Sequence, residues 1–277
     1  MGTPKVSVLM ATYQETVAEV ERAVSSIVGQ TFQDWEMIVV ADEPSNSEVI
    51  TYLREKEEKD KRIKLVIHNK NRGLGAALNT AVQHARGIYI ARIDTEDYSY
   101  PNRLEKQLEY FQTHPETELL FTAWREIDEN GEQTIRQPYS GDAKNIKKSF
   151  FLKSLLLHPT MMTKREVLVQ NPYPQMKRPE DWVLFLDLME QDYQFRLLEE
   201  VLYDYQIDRR EKYSKVRIYA ENLLPVLLKK IPSWYNNPYY WLYLLRILGE
   251  YLISRNQTVY LYTHTWVTKL WRLIFGS

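Results

Sequence analysis

The sequence predicts an α/β domain with a mostly parallel sheet, followed by a helical C-terminal appendage. Short apolar runs of strand length alternate with amphipathic stretches of helix length, and an acidic residue follows several of the runs. Such alternation is typical of right-handed βαβ units, whose strands lie parallel. The composition changes near residue 212, beyond which aromatic and basic residues accumulate. We therefore expect an α/β domain over residues 1–212 and a helical region over residues 213–277.

The elements are predicted from the spacing of apolar residues. In one helix, for example, Ala77, Leu78, Ala81, Val82 and Ala85 recur at spacings of three and four and form one apolar face. Strands are expected at 5–11, 35–40, 63–68, 88–93 and 119–127. Helices are expected at 17–28, 47–59, 76–85, 101–113 and from 180 onward. A turn is expected at 128–132, a loop at 138–142, and helical residues between that loop and residue 157.

Composition excludes several kinds of protein and site. A net charge of −1 argues against a general nucleic-acid binder, which is normally basic. The chain contains no cysteine, so disulfides, thiolate metal sites and cysteine nucleophiles are excluded, and a reducing compartment is favoured. Residues 1–30 carry no signal-peptide pattern. We therefore expect a cytoplasmic protein.

Carboxylates follow the strand predicted at 88–93, and a glycine loop precedes the helix before it. The acids are Asp94, Glu96 and Asp97, and the loop contains Arg72 and Gly73. Open α/β sheets bind ligands at the carboxyl ends of their strands, hard divalent cations prefer oxygen ligands, and a helix N-terminus favours phosphate. This placement suggests a metal and nucleotide site. By themselves, these residues are equally typical of helix-capping acids and of a tight loop.

Five segments carry a resemblance to a known family. The segments VSVLMATYQE, WEMIVVAD, NRGLGAALNTAVQHARGIYIARIDTEDYSYPNRLEKQ, HPTMMTKREVL and RPEDWVLFLDL closely resemble the family 2 glycosyltransferases, which have the GT-A fold. The resemblance covers about residues 4–208 and keeps the order and spacing of the family's motifs. It implies an inverting transfer of a sugar from a nucleotide-diphosphate donor, a UDP-sugar in our leading expectation, to a glycan or lipid-linked acceptor. Cell-surface polysaccharide biosynthesis is the setting that it implies.

The resemblance also assigns residues to the metal and to the donor. It implies that Asp94 faces the ribose or the metal, and that Glu96 is a metal ligand where the family usually has Asp. His158 opens an HPT motif and is expected at the metal, the phosphates or the acceptor. The expected cofactor is a divalent metal, manganese or magnesium, which would neutralise the leaving phosphates. The expected donor-binding residues are Thr12, Tyr13, Glu15, Asp42, Arg72, Gly73, Asp94 and Thr95.

Within that donor site, the resemblance places the nucleotide base beside Tyr13 or Thr12. Glu15 is expected at the ribose, and Asp42 at the edge of a uracil-like base. The chain departs from the family pattern at Ala41, where Asp is common, and at residues 43–44, where Glu-Pro replaces Gly-Ser. A packed aromatic at a strand end is the simpler interpretation of Tyr13.

The expected catalytic residues are Asp181 and Glu180, which follow a proline at the start of a predicted helix. Inverting transfer needs a carboxylate that takes the proton from the attacking hydroxyl. The resemblance implies that Asp181 is this base and that Glu180 contacts the acceptor or the donor sugar. The alternative is that both are N-terminal helix acids that interact favourably with the helix dipole.

The C-terminal region has a composition of its own. Residues 213–277 contain fourteen aromatics, and eight Lys/Arg against two Asp/Glu. Basic amphipathic helices with Trp and Tyr can lie on an anionic membrane surface, whereas Arg246 and Glu250 interrupt the longest apolar run and argue against a membrane span. One hypothesis is thus peripheral attachment to the inner face of the cell membrane. The other is a helical bundle packed on the catalytic domain or on a second subunit of a homo-oligomer.

Two other functions are alternatives to glycosyl transfer. A nucleotidyltransferase also binds nucleotide-diphosphate sugars on an α/β sheet, but the N-terminal segment VSVLMATYQE lacks the glycine- and lysine-rich signature expected of one. A non-catalytic homologue that binds nucleotide sugar, or that scaffolds a membrane-associated assembly, is compatible with the departures at Ala41 and Glu96. That homologue would bind the donor without transfer.

Overall fold

The computed structural model describes residues 2–136, 146, 150–152, 156–207 and 212–253. The loop predicted at 138–142 and the tail beyond residue 253 lie outside this description, as does most of the helical stretch predicted before residue 157.

One sheet organises the domain. Its strands are β1 (Val6–Thr12), β2 (Trp35–Ala41), β3 (Ile63–Ile67), β4 (Tyr89–Arg92), β5 (Tyr98–Ser99), β6 (Leu119–Asp128), β7 (Gln133–Arg136), β8 (Met162–Lys164) and β9 (Phe195–Ile207). They lie in the order β3-β2-β1-β4-β8-β6-β9-β5, and β7 pairs with β6. Strands β3, β2, β1 and β4 are mutually parallel, and β6 is parallel to β9, whereas β5, β7 and β8 pair antiparallel. The predicted mostly parallel sheet is confirmed, and the antiparallel strands are additions to it.

Helices cover both faces of the sheet. They are α1 (Val17–Val28), α2 (Ser47–Lys59), α3 (Leu74–His84), α4 (Arg103–Thr113), α5 (Arg165–Gln170), α6 (Glu180–Glu190), α7 (Lys212–Trp234) and α8 (Pro238–Ile253). Helix α4 begins two residues later than predicted, because the Pro101 carbonyl accepts a hydrogen bond from the Thr31 N–H at 2.7 Å instead of joining the helix. The predicted turn at 128–132 joins β6 to β7.

The central strands are buried on both sides because their side chains alternate between two cores. In β1, Val8 packs with α1 and α2, whereas Leu9 packs with α3 and α6. In β2, Val39 and Val40 divide in the same way. This arrangement leaves the carboxyl ends of β1, β2 and β4 together at one edge, where polar loops begin.

The described C-terminal helices pack on the α/β domain. Trp234 of α7 and Tyr240 of α8 contact Phe151, with ring centroids 5.1 and 5.6 Å apart respectively. Trp234 Nε1 also donates to Glu190 of α6 at 2.6 Å. The inner face of α7 and α8 thus packs on the domain, as the helical-bundle hypothesis expects. Among the helices that the structure describes, none is long and apolar enough to cross a membrane.

Candidate active site

The buried carboxylate of Asp42 organises the glycine loop at the end of β2. Its oxygens accept hydrogen bonds from the backbone N–H groups of Arg72 at 2.9 Å and Gly73 at 2.7 Å, and from Nδ1 of His68 at 2.6 Å. His68 is fixed in turn by Thr80 Oγ1, 2.9 Å from its Nε2. Gly73 has φ +86°, a left-handed conformation that favours glycine. Asp42 therefore holds the loop at the N-terminus of α3 in one shape.

The three residues expected around the nucleotide base and ribose form one local turn after β1. The Glu15 carboxylate accepts from Thr12 Oγ1 at 2.8 Å and from the Tyr13 N–H at 2.5 Å. Asn46, at the start of α2, donates to the carbonyl oxygen of Glu15 at 3.0 Å. Thr12 is buried, and the Tyr13 ring is exposed. The structure thus brings the three together and leaves the aromatic face of Tyr13 open to a ligand.

Arg92 lies buried beneath the acidic loop that follows β4. It is 2% exposed, and its Nη1 atom lies 2.5 Å from Oδ1 of Asp94. Burial opposes the charge of this guanidinium, but the Asp94 carboxylate outweighs that effect and raises the Arg92 pKa. Arg103 lies behind it and donates to the Arg92 carbonyl at 3.0 Å. A permanent positive charge thus sits at the centre of the site.

The acids of the loop have different surroundings. Asp97 is fully buried and accepts from the Tyr203 hydroxyl at 2.8 Å and from the Gln206 N–H at 2.9 Å, while burial and the charge of Asp94 raise its pKa. It fixes β9 to the loop and is turned away from any ligand. Thr95 is buried, Glu96 is exposed, and Asp94 keeps 34% of its side chain accessible. Two carboxylates, those of Asp94 and Glu96, therefore face outward.

The predicted metal residues do not form a three-ligand cage. In the part of the chain that the structure describes, no group of three or more His, Cys, Asp or Glu side chains could hold a metal ion. Both ring nitrogens of His158 face protein groups: Tyr173 hydroxyl lies 2.8 Å from Nε2, and Asp181 lies 4.0 Å from Nδ1. Asp94 and Glu96 nevertheless suit a hard cation, because such ions often bind one or two carboxylates together with substrate phosphates.

The Glu180–Asp181 pair occupies the first turn of α6, beside these groups. Glu180 is 4% exposed, and burial, helped by the charge of Asp181, raises its pKa to about 7. Asp181 keeps 34% of its side chain accessible. Its partial burial nevertheless raises its pKa, and the charge of Asp94 raises it further. The pair thus combines a buried and an accessible carboxyl group within electrostatic reach of Asp94.

His158 and Tyr173 form the wall next to Asp181. Burial, together with the charge of Arg92, holds the pKa of His158 well below its usual range, so the imidazole is neutral. Tyr173 is held through its backbone by Asn79 of α3, which both donates and accepts at 2.9 Å. A neutral, hydrogen-bonded histidine orients its neighbours without adding charge.

The close approach of α3 to α6 depends on Gly75. A Cβ atom at this position would lie 3.0 Å from the Pro174 carbonyl oxygen and 3.6 Å from the Glu180 Cβ. Gly75 therefore has a packing role, because the absence of a side chain lets the first turn of α6 lie against α3.

Several residues of the site were not predicted. Arg92 pairs with Asp94, and its central, buried position was not predicted. The support that His68 gives to Asp42 was not predicted either. Tyr173 and Tyr203 had no assigned role. An arginine inside an apolar strand run was the one available signal, because such a charge is rarely buried without a partner.

Comparisons with known proteins agree with this architecture. Residues 7–170 match the family model of glycosyl transferase family 2. An uncharacterized glycosyltransferase of Methanocaldococcus jannaschii is 36% identical over 258 residues, which are 91% of this chain and 89% of that protein. The O-antigen biosynthesis glycosyltransferase WbnJ of Escherichia coli is 32% identical over 219 residues, 78% of this chain and 85% of that protein.

Two solved structures share the fold. TarS 1–349 of S. aureus, in complex with UDP-GlcNAc, has a TM-score of 0.65 at 19% identity, over 90% of this chain and 72% of that one. The mannosyltransferase PcManGT from Pyrobaculum calidifontis, in complex with GDP-Man and Mn²⁺, has a TM-score of 0.65 at 16% identity, over 99% of this chain and 84% of that one. The chain therefore belongs to glycosyl transferase family 2 and has the GT-A fold.

Proposed function

We propose that this glycosyltransferase moves a sugar from a UDP-linked donor to a hydroxyl of a glycan or lipid-linked acceptor, with inversion at the anomeric carbon. One observation carries the proposal: Asp181 is an accessible carboxylate beside the buried Glu180, at the N-terminus of α6 and within electrostatic reach of Asp94. A base close to a phosphate-side acid suits displacement at a sugar carbon.

In the proposed reaction, Asp181 accepts the proton of the acceptor hydroxyl. The hydroxyl oxygen bonds to the anomeric carbon on the face opposite the nucleotide, and the bond from that carbon to the phosphate oxygen breaks with its electron pair on the leaving diphosphate. The backbone N–H groups of Arg72 and Gly73 bind Asp42 and hold this loop, so that the Arg72 side chain and the N-terminus of α3 would lie on the phosphate side. Tyr13 offers its exposed ring to the base.

A divalent cation, manganese or magnesium, is part of this proposal. Asp94 and Glu96 would hold it, and when bound it would neutralise charge on the leaving phosphates. We assign His158 to the orientation of Asp181 rather than to the metal, because its two nitrogens already face Tyr173 and Asp181. The solved relative with Mn²⁺ and GDP-Man supports the cation and keeps a GDP-linked donor in the test.

The proposed setting is cell-surface polysaccharide biosynthesis, which the names of relatives such as WbnJ support.

Helix α8 leaves an apolar stripe exposed, formed by Trp241, Leu245, Leu248 and Leu252. We propose that this stripe lies on the anionic inner face of the cell membrane, near a lipid-linked acceptor. Sedimentation with anionic vesicles, reduced in Leu245→Glu, is the expected result. Sedimentation that is unchanged in Leu245→Glu contradicts it, and a dimer in solution would assign the stripe to a second copy.

Donor hydrolysis and transfer test the reaction. A panel of UDP- and GDP-sugars is incubated with manganese, magnesium or chelator, using the wild-type chain, Asp181→Asn and Glu96→Ala. We expect that one nucleotide of the panel is released and that its release requires a divalent metal. The rate of release should fall roughly 100-fold or more in Asp181→Asn, as removal of a general base implies. Nucleotide binding should survive in Asp181→Asn.

Matched variants give the controls. Asp187→Asn changes an acid of the same helix that pairs with Lys230 at 2.6 Å, and Glu109→Ala removes an exposed acid of α4. Both should keep wild-type turnover. Donor binding without turnover of any donor, in the presence of a glycan or lipid acceptor panel, would instead favour the non-catalytic homologue.

A further inference from the structure

The turn that presents the catalytic pair is fastened by a residue of the C-terminal helices. The side-chain amide of Asn222, in α7, donates to the carbonyl oxygens of Lys177 and Arg178, the latter at 2.9 Å. These two residues directly precede Pro179, whose carbonyl accepts the first backbone hydrogen bond of α6, from Val183 at 3.2 Å. Asn222 therefore holds the backbone at the point where it enters the catalytic helix.

A second contact reaches the residue next to Asp181. The Trp182 ring is stacked between Phe150 at 4.2 Å and Tyr243 of α8 at 4.6 Å, with interplanar angles of 23° and 13°. The Tyr243 hydroxyl lies 3.1 Å from that of Tyr219 in α7. The backbone N–H of Trp182 donates to Asp181 Oδ1 at 2.8 Å. The stacked rings therefore hold residue 182, whose backbone in turn binds the Asp181 carboxylate.

The far end of α6 is held by the same helices. Lys230 of α7 lies 2.6 Å from both Asp187 and Glu190, which are in the last turn of α6. These ion pairs fix the helix but lie away from its first turn. By contrast, the contacts of Asn222 and Tyr243 act at the end of α6 that carries the carboxylates.

We propose that Asn222 is a positioning residue for Asp181, through which α7 takes part in the transfer reaction. This inference rests on the proposed role of Asp181. A base must be held to within a fraction of an ångström of its productive position, and the misplacement of a reacting group by about 1 Å can cost roughly 100-fold in rate. The turn at residues 177–179 obtains this precision from α7.

The test compares two asparagines of the same hairpin. Asn222→Ala removes the donor to the turn, and Asn222→Gln keeps an amide donor. The matched control is Asn237→Ala, which removes the side chain that accepts from the Tyr239 N–H at 2.9 Å at the start of α8. For each chain we would measure kcat, donor KM, nucleotide binding, thermal stability, and hydrogen exchange of the amides of residues 180–183.

The expected result is a fall in kcat of roughly ten- to 100-fold in Asn222→Ala, with faster exchange at residues 180–183 and unchanged nucleotide binding. Asn222→Gln should recover most of the kcat. Asn237→Ala should lower thermal stability but keep the kcat and the exchange of the turn.

Two outcomes overturn the inference: wild-type exchange at residues 180–183 in Asn222→Ala, or faster exchange with an unchanged kcat. Failure of the proposed function is distinguished by Asp181→Asn. If that variant transfers sugar at the wild-type rate, the assignment of the base is wrong, while the exchange data still report whether Asn222 holds the turn.

Discussion

The Nδ1 atom of His158 lies 4.0 Å from Oδ2 of Asp181, in a site where the histidine is neutral and the carboxyl has a raised pKa. Burial acts in opposite directions on the two pKa values, because it disfavours the charged form of each group. Burial therefore raises the pKa of Glu180 to about 7 and raises the pKa of Asp181 above its usual range, whereas it keeps the imidazole neutral.

The pH dependence of transfer follows from this relationship. The proposed base, Asp181, has a raised pKa and is protonated below it, so activity should rise with pH over a range above the ordinary pKa of an aspartate. Glu180→Gln removes one of two neighbouring acids, so the pKa of the remaining Asp181 should fall. The rise of kcat/KM with pH, its acid limb, should therefore move to lower pH.

Rate profiles between pH 4 and 9, with Asp187→Asn as the control, measure this shift. A wild-type limb at the ordinary pKa of an aspartate would contradict the prediction. A limb that stays in place in Glu180→Gln would point to another titrating group.

A larger residue at position 75 should lower activity, because α3 packs closely against the first turn of α6 at this glycine. In Gly75→Val the new side chain meets the Pro174 carbonyl and the Glu180 Cβ, so the pair moves and transfer should fall by roughly tenfold or more. Gly75→Ala should have a smaller effect in the same direction. Steady-state transfer rates and thermal unfolding of both variants check the order.

Gly249→Ala is the matched control, since it lies inside α8 with nothing within 4 Å of an added Cβ. It should keep activity and gain about 0.5–1 kcal/mol of stability, as expected for glycine replacement in a helix. Full activity in Gly75→Val would show that the close approach is not needed.

Asp42 should matter for donor affinity through the loop that it holds. In Asp42→Asn the amide nitrogen faces donors, so at least one of the bonds from Arg72 and Gly73 is lost, at a cost of about 1–3 kcal/mol for an unpaired buried group. Nucleotide binding measured by calorimetry should weaken roughly tenfold.

Asp128→Asn gives the comparison, because Asp128 also anchors a turn, accepting from Asn130 and Glu132 at 2.9 and 3.0 Å, but at the β6–β7 hairpin. It should leave nucleotide affinity unchanged. Equal affinities in both variants would mean that Asp42 does not shape the donor site.

The sequence by itself determined the order of the elements and the edge at which the site lies. Buried strands such as β1 and β2 are mostly apolar runs, and α3 has a regular apolar face, so local spacing predicted them. Strands β5, β7, β8 and β9 were missed. The first three have four residues or fewer and exist only through pairing with a longer strand, and β9 has charged residues among its apolar ones.

The tertiary structure decided how the polar residues divide their work. Asp94 and Asp97 are three positions apart, yet one faces outward and the other is buried against Tyr203 of β9, more than a hundred residues away. Likewise, Asn222 reaches the turn at residues 177–179 only because α7 folds back onto α6. Local spacing sets which face of an element is apolar, but long-range packing sets which polar groups lose water, and that loss of water fixes their partners and their pKa values.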